Sequence, residues 1–389
     1  MEAHAEEPAG IYVHIPFCLT RCGYCDFNAY AGLDHLAPRY LRALMAEASL
    51  VAGVPGRAPG PPTWEGAEVA SVFLGGGTPT MQTPADLATL LGRLRETFHF
   101  TTGVEITTEA NPDTVDETSL SSLREAGYER LSMGAQSFDL AVLASLERLH
   151  SPDSVRAAFT AARAAGYDNV NLDLIYGAHG ETIDSWDRTL RETIALAPEH
   201  ISAYALTVEP STPLGRAVAS GVTPEPDPDL QADMFGVACE LLREAGYRHY
   251  EVSNWAKPGF ECRHNLGYWE RRPYVGLGAG AHSYRDNHRW WNTRPPEEYM
   301  DRVERGELPI GGEEHLDPSD AYLEEVFLRM RILEGIPASW IDEQVSAPFI
   351  ESGLIADEFD TLIPTERGML LLNELVLALT AEASPSQTS

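Results

Sequence analysis

Three closely spaced cysteines, Cys18, Cys22 and Cys25, constrain this 389-residue chain more than any other feature. They form a C-x3-C-x2-C loop directly after Ile11–Ile15, a short apolar run that reads as a strand. Three thiolates on one loop point to a metal or cluster site. A [4Fe–4S] cube normally takes four thiolates, so a three-cysteine loop leaves one iron open to a non-protein ligand. The competing reading is a structural zinc knuckle completed by His14 or Asp26. Zinc sites usually pair their cysteines in C-x2-C hooks, and the sequence offers no second hook.

The remaining cysteines, Cys239 in a helical run and Cys262 in a later polar segment, suggest no disulfide framework, which fits a reducing cytoplasm. Twenty-eight basic against 59 acidic residues give a formal charge of -31. Such a charge repels phosphate backbones and anionic headgroups at long range, so nucleic acid is not an expected partner. The acidic N-terminus lacks an apolar core and no run reaches the length of a membrane span. The expected protein is neither exported nor membrane-embedded.

Taken in order, the chain alternates strands and helices. Pro38–Val51 has helical spacing after a proline start, and 53–62 is a Pro/Gly-rich loop. Val69–Leu74 is a buried strand ending in Gly75-Gly-Gly-Thr-Pro79; Thr83–Phe98 is a helix, Val104–Glu109 a strand and Thr118–Ala126 a helix. Ala126-Gly-Tyr128, Ala165-Gly-Tyr167 and Ala245-Gly-Tyr247 each close a helical run before a strand, with glycine as the left-handed cap. Ala197-Pro198 stands where this series lacks its glycine. Further strands are Arg130–Met133, Val170–Ile175 and Ile201–Leu206, with a candidate near Tyr250–Ser253. Six or so β/α units predict an incomplete parallel barrel, with chemistry at the C-terminal strand ends. Residues 1–310 would form it. Residues 311–380 predict a small helical, winged-helix-like domain with helices over Ser319–Leu333, Ala338–Val345 and Thr365–Ala378, and 381–389 a disordered tail.

The polar motifs fall at the ends of these strands. Gly76, Gly77 and Thr78 end the second strand, where missing side chains let a ligand approach bare backbone. Glu109 ends the third, Gln136 follows the fourth and Asp173 lies inside the fifth, where an acid among apolar residues needs a partner. Arg148, on a presumed helix, is a solvated charge when taken alone. As a set these residues offer a cation for a carboxylate and acceptors for hydroxyls and an ammonium.

Tyr-Val-His-Ile-Pro-Phe-Cys, Gly-Gly-Gly-Thr-Pro-Thr, Thr-Glu-Ala-Asn-Pro, Ser-Met-Gly-Ala-Gln-Ser-Phe and Asn-Leu-Asp-Leu-Ile-Tyr-Gly occur in that order. The chain thereby resembles, over nearly its whole length, the oxygen-independent coproporphyrinogen III dehydrogenase branch of the radical S-adenosylmethionine (SAM) proteins. The resemblance implies a partial (β/α)6 barrel and a [4Fe–4S] cluster on Cys18, Cys22 and Cys25. It implies SAM contacts at Tyr12, Tyr24, Gly76, Gly77, Thr78, Glu109, Gln136, Arg148 and Asp173, and reductive cleavage of SAM to a 5′-deoxyadenosyl radical.

Two departures set the branch. Phe27 stands where the dehydrogenases resemble C-x3-C-x2-C-x-C, and only 17 residues precede Cys18, whereas they carry a longer arm over the substrate. His264-Asn265-Leu-Gly-Tyr268-Trp269 is similar to the H-N-x-x-Y-W segment of the heme chaperone subgroup. That similarity implies heme as a third cofactor, and heme-accepting apoproteins, with respiratory cytochromes in view, as partners. It leaves room for peripheral contact with respiratory complexes and for a homodimer. Read from the residues, His264 is a histidine in a polar loop that would take iron axially. Tyr268 and Trp269 would flank the macrocycle, and Arg271 and Arg272 would pair with its propionates. The rival readings are a coproporphyrinogen III dehydrogenase, a radical heme methyltransferase, and an iron–sulfur protein that binds neither SAM nor heme.

Overall fold

The computed structural model describes residues 8–53, 64 and 66–381. Most of the Pro/Gly-rich loop and the C-terminal Ser-Pro-Ser-Gln-Thr-Ser lie outside the described residues.

Period-two alternation builds the centre. Strands β1 (Ala9–Ile15), β2 (Glu68–Gly76), β3 (His99–Ala110), β4 (Arg130–Gln136), β5 (Val170–Tyr176) and β6 (His200–Ala205) are neighbours in that order, all parallel. One row of side chains, including Ile11, Val13, Val72, Leu74, Ile106, Leu131, Met133, Leu172 and Leu174, joins the helices in the main core. The alternate row is polar, including Ser71, Glu105, Thr107, Glu109, Arg130, Ser132, Asn171, Asp173 and Ser202. Side chains in a strand point alternately to opposite faces, so this pattern gives a greasy outside under helices and a polar inside.

The helices are α1 (Ala37–Ala52), α2 (Pro84–Thr97), α3 (Glu117–Ala126), α4 (Leu140–Ser145), α5 (Pro152–Ala164) and α6 (Ile183–Leu196); all but α4 cover the barrel, and α4 packs instead with Ile175 and Leu206. Thr83 caps α2, and Asp116, Ser151 and Thr182 form reciprocal capping boxes, satisfying amides that the first turn leaves free. Gly127 and Gly166 take φ of 105° and 85° just beyond their helices; Ala197 takes φ of 54° in the same role, so the glycine-less repeat keeps the geometry.

The sheet then grows at both edges. After α7 (Pro213–Ala219) and α8 (Pro228–Glu244), β7 (Arg248–Glu251) and β8 (Asn254–Ala256) extend it antiparallel beyond β6. Helix α9 (Arg263–Trp269) leads to β9 (Tyr274–Leu277), which pairs parallel with β1. Then β10 (His282–Arg285), β11 (His288–Asn292), α10 (Pro296–Glu304) and β12 (Ile310–His315) complete a 12-stranded open sheet, ordered β12-β11-β10-β9-β1-β2-β3-β4-β5-β6-β8-β7. The sheet therefore runs to His315, past the expected boundary at 310.

The C-terminal region contains α11 (Pro318–Arg329), β13 (Ile336–Pro337), α12 (Glu343–Glu351), β14 (Ile355–Glu358), β15 (Thr361–Pro364), α13 (Glu366–Leu370) and α14 (Leu372–Thr380). It has its own core of Val326, Met330, Ile336, Ile355, Leu362, Leu375 and Leu379. The expected helix over Ala338–Val345 is instead a 3-10 turn at Ala338–Trp340 followed by α12. The expected single last helix breaks at Leu371, and the three-stranded sheet between was not anticipated. Among the described residues, no helix is long and apolar enough to cross a membrane.

One buried acid ties α1 to the flank of the barrel. Glu47 accepts hydrogen bonds from Gly278 N (2.8 Å), Asn292 Nδ2 (2.6 Å) and the Tyr299 hydroxyl (2.6 Å). Burial pushes its carboxyl up to about 7. The folded chain thus holds this proton more tightly than the unfolded chain. The contribution is full below the unfolded pKa and lost as pH rises through about 7. Glu47→Gln cannot ionise. The melting temperature of the parent minus that of the variant, read by calorimetry, should therefore be more positive at about pH 5 than at about pH 8; a pH-independent difference would mean that Glu47 does not titrate there.

Candidate functional site

The cysteine loop is seated by backbone first. Gly77 N donates to Ile15 O (2.9 Å), Thr78 N to Phe17 O (2.8 Å), Tyr30 N to Pro16 O (2.7 Å) and Leu214 N to Gly23 O (2.9 Å). A Cβ on Gly77 would meet Phe17 O at 2.6 Å, which explains a glycine there. All three thiols are free and half-buried. Burial pushes Cys18 up to about 11, against the opposing pull of the Thr78 hydroxyl, whose Oγ1 lies 3.9 Å from Sγ. Burial also raises Cys25. Cys239 and Cys262 are different: both are buried and pushed up to about 12, so they stay inert thiols.

Arg148 is not on a helix. It lies in the turn after α4, where Nη1 reaches Cys22 Sγ at 3.7 Å and Nη2 donates to Gly134 O at 3.1 Å. Its Nε is buried without a partner. Tyr24, next to Cys22, packs against the apolar patch of Val142, Leu146 and Ile175. Gln136 ends β4 with φ of 62°, an uncommon conformation for a residue with a side chain, and so aims its carboxamide beside Gly134.

The two acids sit close inside the barrel. Glu109 accepts from Gly76 N at 3.1 Å and is pushed up to about 8, first by desolvation and then by the Asp173 charge. Asp173, also raised by desolvation, finds the partners its position requires in Asn171 Nδ2 (2.8 Å) and Ser132 Oγ (3.1 Å). Two carboxyls that oppose each other's ionisation are relieved by a cation between them. Gly75 and Gly76 make room: a Cβ would lie 3.0 Å from the Glu109 carboxyl at the first, and 2.5 Å from the His14 ring at the second. The orphaned Arg148 Nε, the paired acids and the bare glycines fit a ligand carrying both a carboxylate and cationic groups, as SAM does.

A cleft of about 560 Å³ opens beside this set, lined by Tyr12, Gly76 and Glu109 on one wall and by Gly280, His282, Trp291 and Arg294 on the other, with Phe27 and Tyr268 between. Its far wall escaped the sequence analysis. The legible signal was Gly276-Leu-Gly-Ala-Gly-Ala-His282, a second strand end running into a glycine turn.

The H-N-x-x-Y-W segment corrects its expectation. It is helix α9, not a loop, and His264 is 4% exposed. Its Nδ1 lies 2.9 Å from Ser71 Oγ and its Nε2 2.9 Å from the Tyr268 hydroxyl, so both ring nitrogens are committed. The i, i+4 spacing that puts Tyr268 over His264 turns Trp269 away, toward Arg331. Tyr268 and Trp269 therefore do not face one cavity. Asn265, between them on the helix, is half-buried. Arg271 is paired with Glu324 and Glu325, and Arg272 with Glu270, which leaves neither guanidinium for a propionate in this arrangement.

An open parallel barrel that carries a three-cysteine loop after its first strand defines the class: residues 12–193 match the Radical SAM superfamily. That fold and the cysteine motif support binding of a [4Fe–4S] cluster and SAM. The chain is 41% identical over 379 residues to the heme chaperone HemW of Mycobacterium tuberculosis, covering 96% of this chain and 95% of that one. It is 34% identical to HemW of Escherichia coli, covering 96% and 99%. The structure superposes on coproporphyrinogen III oxidase (HemN) of Escherichia coli, a radical SAM enzyme, with a TM-score of 0.82 at 26% identity, covering 96% of this chain and 90% of that one. The chain belongs to the HemW family.

Alanine in place of Cys18, Cys22 or Cys25 is expected to abolish cluster assembly on anaerobic reconstitution, whereas Cys239→Ala and Cys262→Ala leave it intact. Iron and sulfide analysis reads the outcome. Stoichiometric zinc without sulfide would establish the knuckle instead.

Proposed function

We propose that this protein is a heme chaperone of the cytoplasm, which holds a cluster, SAM and heme and delivers heme to acceptor apoproteins, respiratory cytochromes among them. The near full-length relationship to the Mycobacterium tuberculosis chaperone carries this reading. The exposed Phe27, at 60%, adds to it: an apolar ring stands open to solvent at the cleft mouth, at the position where the dehydrogenases resemble cysteine.

In this reading Cys18, Cys22 and Cys25 hold the cluster, and Tyr12, Tyr24, Gly76, Gly77, Thr78, Glu109, Gln136, Arg148 and Asp173 surround SAM. Bound together, cluster and SAM supply one-electron reductive chemistry. Arg148 offers its unspent Nε edge to the SAM carboxylate, and Glu109 and Asp173 offer oxygens to cationic and hydroxyl groups. Arg148→Ala should weaken SAM binding to the reduced protein. Losing a charge-assisted hydrogen bond costs roughly 1.5–3 kcal/mol, or about ten- to hundred-fold in affinity. Titration of the cluster's paramagnetic signal with SAM measures it, and an unchanged affinity would remove Arg148 from the site.

The alternative, a coproporphyrinogen III dehydrogenase, is favoured by the HemN-like fold alone. Reconstituted protein given hemin should develop a Soret band and lose it to an apocytochrome acceptor. The same protein given coproporphyrinogen III, SAM and a reductant should form no protoporphyrinogen. Steady turnover to protoporphyrinogen would promote the enzyme reading.

A further inference from the structure

An iron atom needs an imidazole that is neutral, reachable and not already spent. Two described histidines line the cleft, His14 and His282, and His264 lies beneath its floor. His14 is spent: its Nδ1 meets the Tyr12 hydroxyl at 3.0 Å and its Nε2 meets Asn28 O at 2.9 Å. His264 is spent on Ser71 and Tyr268. His282, at the start of β10, is exposed, and among the described residues neither ring nitrogen has a hydrogen-bond partner.

The surroundings of His282 suit a flat, anionic, iron-bearing ligand. Its ring stacks on Trp291 at 5.5 Å with 26° between planes, which would steady the imidazole upright on an iron and turn the apolar edge of the indole toward a macrocycle. Arg294 lines the same wall, is exposed, and pairs with no carboxylate among the described residues. Phe27 and Tyr274 add apolar surface around the mouth. The cleft of about 560 Å³ has two sides: SAM would take the side of Tyr12, Gly76 and Glu109, and the side of His282, Trp291 and Arg294 is left for a second ligand.

Building on the heme reading, we infer that His282 is the axial ligand of heme iron at the mouth of this cleft, with Trp291 against the macrocycle and Arg294 paired with a propionate. The bond formed is iron to ring nitrogen; no bond breaks in the protein and no electron moves. Desolvation against the wall, then the Arg289 and Arg294 charges, lower the pKa of His282, which keeps the ring neutral and ready to coordinate. His264 acts from below as a positioning residue, holding Tyr268 at the cleft floor.

The test titrates cluster-reconstituted, full-length protein with hemin, reading the Soret band and the ferric spin state. His282→Ala should lose the histidine-ligated spectrum and at least ten-fold in affinity, with iron–sulfur content unchanged. Added imidazole should restore the spectrum in that variant, which a merely structural role would not permit. His282→Gln serves as a second variant that keeps polarity and size. Arg294→Ala should weaken hemin several-fold yet leave binding of hemin dimethyl ester unaltered. The competing histidines are the buried His288 and the exposed His315, which lie beside Glu313 on the outer strands. His315→Ala should change nothing. Hemin binding that survives in His282→Ala with its spectrum intact, or that is lost in His315→Ala, overturns the assignment while leaving the chaperone reading in place. Failure of the parent protein to bind hemin at all overturns both.

Discussion

One carboxamide and one imidazole hold the cleft together. Asn28, on the return of the cysteine loop, donates through Nδ2 to Ala279 O (3.0 Å) and Arg294 O (2.9 Å) and accepts from the Tyr30 hydroxyl (2.9 Å). Its own backbone oxygen receives the His14 ring. A single residue therefore joins the cysteine loop, the first barrel strand and the added wall of β9–β11. Gly280 must lack a side chain because a Cβ would lie 2.9 Å from the Asn28 amide. The carbonyl of Asn28 fixes the His14 tautomer: Nε2 carries the proton and Nδ1 accepts from Tyr12. Desolvation holds the His14 pKa low, so this arrangement persists with a neutral ring. The distance between the loop that carries thiols and the wall that carries His282 is thus set by these hydrogen bonds.

The barrel interior carries a second constraint. Arg130 is 2% exposed, among Glu105, Cys262, Tyr250 and Asp173, and burial opposes its charge while those neighbours sustain it. A buried cation is tolerated only with anions close by. This polar column serves the upper end, where Asp173 and Glu109 need dipoles below them and ligand groups above. His200 bridges Asn171 and the Tyr250 hydroxyl at 2.7 Å each, and extends the same network to the antiparallel strand β7. Removing any one member leaves its partners desolvated without compensation, which costs more than the bond itself contributes.

Much of this was legible in the sequence, and the unread parts share a physical cause. The six barrel strands announce themselves because period-two alternation is strong where one face lies under helices. Asn171-Leu-Asp-Leu-Ile175 shows it within five residues. The Ala-Gly-Tyr caps and Ala197 mark the β/α joints for the same local reason. Strands β10 and β11 were missed because His282-Ser-Tyr-Arg and His288-Arg-Trp-Trp-Asn mix polar and aromatic residues on both faces, one toward the cleft and one toward Trp64. Helix α9 was read as a loop because it is short, contains Gly267 and earns its helicity from tertiary contacts rather than propensity. The cysteine set was readable from spacing alone. The proximity of Arg148 to Cys22, across 126 residues of chain, was not.

Helix α9 is best understood as a plug. The Glu105 carboxylate, buried in the lower barrel, accepts from Arg263 N (3.3 Å) and His264 N (3.2 Å), and the Cys262 thiol lies 3.6 Å away. These contacts draw the start of α9 under the sheet. His264 then rises against Gly10, where a Cβ would stand 3.1 Å from its ring, and stacks on Phe73 at 5.4 Å. Its burial lowers the ring's pKa to about 3, so it stays uncharged in a site that already contains Arg130. One turn further, the Tyr268 hydroxyl is held by His264 and its ring meets Tyr274 edge-on at 4.7 Å. The segment that resembles a heme motif thereby acts on a ligand through the floor it builds. A change at His264 would first release Tyr268 and deepen the cleft, and only through that movement reach a molecule resting on the wall above.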